Sequence, residues 1–379
     1  MKKRKRQLHQ STCMRSDFSK VGSASATPDG QGEYRHSRHP LDFAATPAHT
    51  LPVKLRTLVS LFLGAGACIG IFSGALPLFA LPPQAPESRL ELSPSEIALY
   101  KGAQPVVDWP PQQIHHCPLL HKLRSVENQD QLATILERVG QTVTTQFHDF
   151  PSVACDEEIS ETHPGPGSVD SDFMYGVPMA DADEDTTRQK LHYIIVPWPG
   201  GDIPAFDEYR TDLNGNPLNA SSLRGFAMTS SKYASTCLYF SPADQHDSRF
   251  RYFGTQTIRE RECFVVGFAQ DPEKARRIDR FHTMGATFSL LSQGLAWIDP
   301  ESFQILKINS WLLAPRKDIG IDSQSTTVDF YPFQPSGTER ALWLPREVTV
   351  LLDFRGTKVR NTHRYSHYML FRVEVKPGT

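Results

Sequence analysis

The chain is short of the residue patterns that mark chemistry. Its 379 residues include six cysteines, and no two of them stand in a C-x-x-C spacing. That leaves zinc-ribbon and thioredoxin-type signatures without support. No G-x-S-x-G, H-E-x-x-H or Walker pattern occurs, so the common nucleophile, zincin and phosphate-loop motifs are missing. No charge of one sign prevails, with 40 Lys and Arg against 42 Asp and Glu. The balance is uneven along the chain, however. Residues 1–56 carry 11 basic and 4 acidic residues, and the remainder carries 29 and 38. An acidic main body argues against nucleic acid as a partner, because phosphate neutralisation needs a basic face. Long apolar runs are scarce too: there is one.

That run is "LVSLFLGAGACIGIFSGALPLFAL", Leu58 to Leu81, and no charged residue occurs from Thr57 to Pro86. About 20 apolar residues suffice to cross a bilayer as a helix. The preceding tail, opening "MKKRKRQ", is polar and aperiodic, which predicts a disordered segment over 1–56 and a positive cytoplasmic flank. Two readings of 57–81 stand. One is an uncleaved anchor; the other is a signal peptide cut after Ala80 or Ala75, with translation starting later, for example at Met14. Either reading carries the main body out of the cytoplasm. Cys68 in "AGAC" faintly matches a lipoprotein box, but apolar residues continue well past it.

Four cysteines, Cys117, Cys155, Cys237 and Cys263, fall in the exported part. An oxidising compartment permits two disulfides. The most local pairing is Cys237–Cys263 with Cys117–Cys155; free buried thiols are the alternative.

The organisation after the apolar run reads as a Pro-rich linker over 82–113 and one α+β domain over 114–379. In "QDQLATILERVGQTVTTQFHDF", Leu132, Ile135, Leu136, Val139, Val143 and Phe147 form one apolar stripe at helical spacing. Asn128 or Asp130 is placed to cap this helix. Residues 152–189 read as an acidic loop. Its "DADED" lacks the spacing of a calcium-binding EF-hand. Strand-like segments then dominate. They include "STCLYFS" (235–241), "ECFVVGFAQ" (262–270), "REVTVLLDF" (346–354) and "TKVRNTHRYSHY" (357–368). The alternation predicts an antiparallel meander, a large curved sheet packed on the helix.

"QGLAWIDPESFQILKI" (293–308) predicts a hairpin, with Asp299 and Pro300 in ordinary β-turn positions rather than Asp299 as a catalytic acid. On a strand, His363 and His367 of "HRYSHY" point the same way, about 13 Å apart and too far for one metal. "IHHC" (His115, His116, Cys117) offers a metal corner with no fourth ligand. No metal, cofactor or catalytic residue is expected.

These segments resemble a known type. "QGLAWIDPESFQILKI" following a helix that ends in "FHDFPSVACDEEISE" is similar to the hairpin of bacterial lipoprotein-carrier (LolA/LolB/LppX-like) half-barrels. "RYFG", "VVGFAQ", "LWLPREV" and "NTHRYSHYMLFRVE" further resemble exported proteins of Acidobacteria-like bacteria. The resemblance covers about 130–375. It implies a half-open barrel in the periplasm, tethered to the inner membrane through residues 58–81 or released by cleavage. It also implies a cavity between helix and sheet for a lipid or other apolar ligand. Trp297, Trp311, Phe330 and Phe354 are the aromatic candidates to line it. Two alternatives are a protein–protein interaction module of the envelope and a hydrolase with an unrecognised site.

Overall fold

The computed structural model describes residues 92–371, except 149, 164–185, 198–205, 219–222, 224–225, 229, 231, 284–285 and 336–340. The chain divides into two units, Met1–Phe72 and Ser73–Thr379, and all of the described residues belong to the second. The basic tail, the 57–81 segment with its cleavage sites, Cys13, Cys68 and most of the acidic loop lie outside the described residues. Within them, no helix is long and apolar enough to cross a membrane.

One sheet of eleven strands organises the described residues. In chain order its strands are β1 (Arg124–Ser125), β2 (Ser152–Thr162), β3 (Thr186–Pro197), β4 (Phe206–Thr211), β5 (Ser248–Ile258) and β6 (Arg261–Gln270), then β9 (Ser292–Ile298), β10 (Ile305–Leu312), β11 (Ile321–Phe333), β12 (Leu342–Phe354) and β13 (Thr357–Phe371). β7 (Asp279–Thr283) and β8 (Ala286–Leu290) form a separate hairpin. The spatial order is β1-β5-β6-β9-β10-β11-β12-β13-β2-β3-β4, and the sheet does not close. Every pairing in it is antiparallel. The expected antiparallel sheet of half-barrel type is therefore present. The final strand, β13, sits between β12 and β2 and is the seam of the sheet.

Helix α3 (Leu132–Phe147) forms where the apolar stripe predicts it and buries Ile135, Val139, Val143 and Phe147. Its N-cap is Gln131 with no side-chain cap, and Asn128 and Asp130 instead hydrogen-bond each other. The sheet face under α3, called the inner face here, carries Val266, Phe268, Ile298, Ile308, Val328 and Val350 in one cluster with the helix. Each such side chain, fully buried, contributes ~1.5–3 kcal/mol of transfer free energy.

The outer face is covered as well, over β5, β6, β9 and β10. The cover is residues 94–120: α1 (Pro94–Lys101), α2 (Pro111–His116) and two short 3-10 turns. Tyr100, Val106, Trp109, Ile114 and Leu120 pack there on Val265, Leu295, Trp297 and Leu313. Residues 94–113 of the linker expected over 82–113 are thus packed on the sheet, and residues 82–91 lie outside the described residues. β6 and β9 are apolar on both faces, and a second layer has to cover them. Ser93 and Glu96 form a capping box that starts α1. Buried Arg316 fastens the helix, donating to Glu96 at 3.1 Å and to the Ser289 carbonyl at 2.6 Å.

Three further expectations are corrected. Of the acidic loop expected over 152–189, Ser152–Thr162 is strand β2 and residues 186–189 open strand β3. Residues 234–240 are a 3-10 helix, Ala234–Phe240, rather than a strand. The four cysteines are free and buried. Cys155 and Cys237 lie in the inner cluster, and Cys117 and Cys263 in the outer one. The sheet stands between the members of each expected pair, so neither bond can form without moving backbone. Burial raises all four thiols, Cys263 to about 11 and Cys237 to about 12.

Candidate functional site on the inner face

The inner face has two zones, one apolar and one polar. In the apolar zone, α3 and the Ala234–Phe240 helix lie over the sheet. Leu238 and Phe240 are fully buried, and Phe240 meets Phe250 and Phe268 at ring distances of 5.4 and 5.7 Å. α3 and the segment after the 3-10 helix approach closely at Gly140. A Cβ there would stand 2.9 Å from Gln245 Nε2 and 3.1 Å from Pro242 Cγ. Gln245 Nε2 donates to the carbonyls of Leu136 (2.8 Å) and Phe240 (2.9 Å), tying helix to segment. Beside this tie an open groove of about 460 Å³ runs between Ala133, Leu136, Glu137 and Gln141 of α3 and Pro242 and Gln245. Leu136 forms its floor and also packs against the inner cluster.

The polar zone centres on Glu157 of β2. On this strand Val153, Cys155, Glu157, Ile159 and Glu161 share the buried parity, so two carboxylates are carried onto an apolar face. Each must find a partner. Arg210 of β4 donates to Glu157 through two nitrogens, at 2.6 and 2.8 Å. His363 Nδ1 lies 2.9 Å from Glu157 Oε1, and the Tyr365 hydroxyl donates to the same oxygen at 3.0 Å. Burial acts to raise the Glu157 carboxyl. The Arg210 charge and the hydrogen bonds from Arg210 and His363 outweigh it and hold the group at about 2. Burial pushes His363 below its ordinary value, against the pull of Glu157. With Nδ1–H bonded to Glu157, the neutral ring accepts from Tyr233 at Nε2, 3.0 Å away. The Tyr233 hydroxyl in turn contacts Ser230 Oγ.

The same zone pins the segment that crosses it. Glu161 accepts from the N–H groups of Ala227 (2.7 Å) and Met228 (3.1 Å). Glu208 accepts from those of Ala234 and Ser235, both at 3.2 Å, and from the Tyr193 hydroxyl. Burial pushes the Glu208 carboxyl up, with those hydrogen bonds opposing it. Asn361 Nδ2 donates to the Met228 carbonyl at 2.8 Å. Carboxylates, imidazole and guanidinium thus engage one another and nearby backbone. The arrangement works as a clasp.

The four aromatic candidates do not converge. Trp297 lies in the outer cluster and donates from Nε1 to Gln256 at 2.7 Å. Trp311 stacks on Trp109 in the same layer, centroids 6.0 Å apart. Phe330 is in the inner cluster. Phe354 meets Phe281 in a small separate cluster with Leu352. Leu295 and Trp297 of β9 and Trp311 of β10 belong to the outer cluster, which takes both tryptophans away from α3.

Asp299 closes the β9–β10 turn. Its Oδ1 accepts from the N–H groups of Glu301 (3.1 Å) and Ser302 (2.8 Å) and from the Ser302 hydroxyl (2.9 Å). The expected hairpin is present, with Oδ1 serving the turn and Oδ2 accepting from Arg261 at 3.3 Å. His363 and His367 do not point the same way. A bulge between Ser366 and Met369, with His367 at φ 53°, sends His367 to Asp156 on the outer face, 2.9 Å away. His115 and His116 are exposed while Cys117 is buried, so that corner does not assemble. Among the described residues no group of three or more His, Cys, Asp or Glu is placed to hold a metal.

Set beside known proteins, the chain matches no family model and no curated sequence. The solved structures that it is similar to include three proteins of other bacteria. A DUF1329 family protein from Desulfovibrio piger is 10% identical over 64% of this chain and 93% of its own, with TM-score 0.34. A putative outer membrane lipoprotein-sorting protein domain from Vibrio parahaemolyticus is 12% identical over 62% and 91%, with TM-score 0.32. A LolA superfamily protein from Nitrosomonas europaea is 12% identical over 64% and 94%, with TM-score 0.26.

Proposed function

We propose that the chain is a non-enzymatic envelope protein that holds an apolar ligand, such as a lipid acyl chain, against the inner face of its unclosed sheet. The observation that carries this is an open groove at the join of the two elements that cover the apolar zone. One helix and one 3-10 segment lie over it, joined at Gly140 and Gln245, with an open groove beside the join. An acyl chain entering there would lie along Leu136 and Pro242 and exchange water for apolar wall. The titratable residues of the polar zone serve as the clasp that keeps segment 226–241 on the sheet, not as reacting groups. In this reading residues 58–81 tether the protein to the membrane or direct its export, and the domain works outside the cytoplasm.

Native mass spectrometry of the full chain, purified with its export route intact and with lipid extraction alongside, tests the reading. A stoichiometric acyl lipid that co-purifies with wild type and is lost in Leu136→Lys supports it. A clean apo mass, with no uptake of added lipid, sinks it and leaves the interaction module as the better account.

A further inference from the structure

Cations from three parts of the chain meet at one corner of the outer face. Lys307 of β10 stands opposite Asp329 of β11, its ammonium 5.3 Å from the centroid of the Trp297 ring. Arg259 sits in the β5–β6 turn, where both Arg259 and Glu260 have positive φ (47° and 62°). Its guanidinium lies over the Tyr331 ring at 4.1 Å, pairs with Asp329 and donates to the Phe330 carbonyl at 3.1 Å. Arg346 covers the same ring at 4.5 Å. It is the extra residue of a bulge: Asp329 pairs with Glu347 and Phe330 with Pro345, leaving Arg346 unmatched.

Two backbone devices, a left-handed turn and a bulge, therefore aim guanidinium groups at one tyrosine. Bulges commonly re-aim a side chain at a site. The charges around it do not cancel. Asp329 is taken up by Arg259, and Glu347 is engaged by Arg364 at 3.1 Å. Among the described residues, neither the Lys307 ammonium nor the Arg346 guanidinium has a hydrogen-bonded or ion-paired partner. Lys307 is half-buried, and a half-buried ammonium with no direct contact to an anion is costly. Burial lowers the Lys307 ammonium, Asp329 works against this, and Arg259 adds to it. An incoming dianion would reverse that balance.

We infer that the Arg259–Lys307–Arg346 corner is a binding site for a phosphate group, carried on a lipid headgroup or free in solution. Guanidinium and ammonium groups are the side chains that pair with phosphate oxygens, the first through a planar fork and the second as a point charge. The site lies on the outer face and does not depend on the inner-face reading above.

Isothermal titration of inorganic phosphate into the full chain tests it, alongside Arg346→Gln and Lys307→Met. Arg346 is exposed, so its variant should keep the wild-type melting temperature and serves as the folding control. Wild type should bind saturably, and each variant should lose about tenfold, the equivalent of one charge-assisted hydrogen bond. A second arm is flotation on phosphatidylglycerol vesicles, comparing wild type with Arg346→Gln so that the basic tail is common to both. Weaker flotation of the variant assigns the site to a lipid headgroup. Phosphate binding that the variants weaken, with flotation unchanged, assigns it to a soluble phosphate. No phosphate binding by wild type together with flotation unchanged in the variant overturns the inference. Phosphate binding that neither variant alters overturns it too.

Discussion

Glu157 shows what one misplaced charge demands. It occupies an apolar parity on β2, and Arg210, His363 and Tyr365 all converge on it from other strands. Glu157→Gln leaves Arg210 buried beside a neutral amide. Breaking a buried pair in this way costs ~3–5 kcal/mol, which urea denaturation at neutral pH should show. The pair also predicts an acid dependence. The folded carboxyl is held at about 2, against an ordinary value of 4.5. A depressed carboxylate contributes stability above its unfolded value and loses it as pH falls toward the folded one. Stability should therefore drop between about pH 4.5 and pH 2 in wild type and drop less in Glu157→Gln. His363 is depressed too, so its contribution is present above pH 6.5 and declines as pH falls below that. A stability profile in His363→Gln that is flatter from pH 6.5 downward would confirm it. The charge run of 152–189 reads as a loop in the sequence, which hides the β2 alternation that places Glu157 and Glu161 on the buried face. Their partners lie 53 and 206 residues away for Glu157, and no local pattern names them.

At the scale of elements, the hairpin around Asp299, the α3 stripe and the strands β6, β12 and β13 were legible, because each rests on local periodicity or turn chemistry. Segment 94–120 was not. Its prolines and weak periodicity suggest a linker, yet β6 and β9 are apolar on both faces and required a second layer. The run "IALY…PVVDWP…IHHCPLL" was the available candidate. Residues 234–240 fail for another reason: a short apolar run with no period fits a strand and a buried helical turn equally. The layered arrangement predicts that amides of 94–101 resist hydrogen exchange. Arg316→Ala removes the donors to Glu96 and Ser289. Protection should then fall in α1 while β12 and β13 keep theirs. Rapid exchange of α1 in wild type would show that the segment is not docked.

For the whole molecule, the free thiols give a simple reading. With all four buried in two separate layers, a thiol reagent should label none of them in native protein and all four after denaturation. Non-reducing electrophoresis should show no intramolecular bond. The seam strand carries a less obvious consequence. β2, β3 and β4 meet the other strands through β13 alone, and β13 spans Thr357–Phe371, near the end of the chain. β2 pairs early with β3, but it meets β13 only after roughly two hundred intervening residues have been made. Pairing over such sequence separation is slow. Until the last strand arrives, two half-sheets wait with open edges. The protein is therefore most exposed to aggregation in the interval before β13 emerges, and a chaperone that covers strand edges would matter most in that interval.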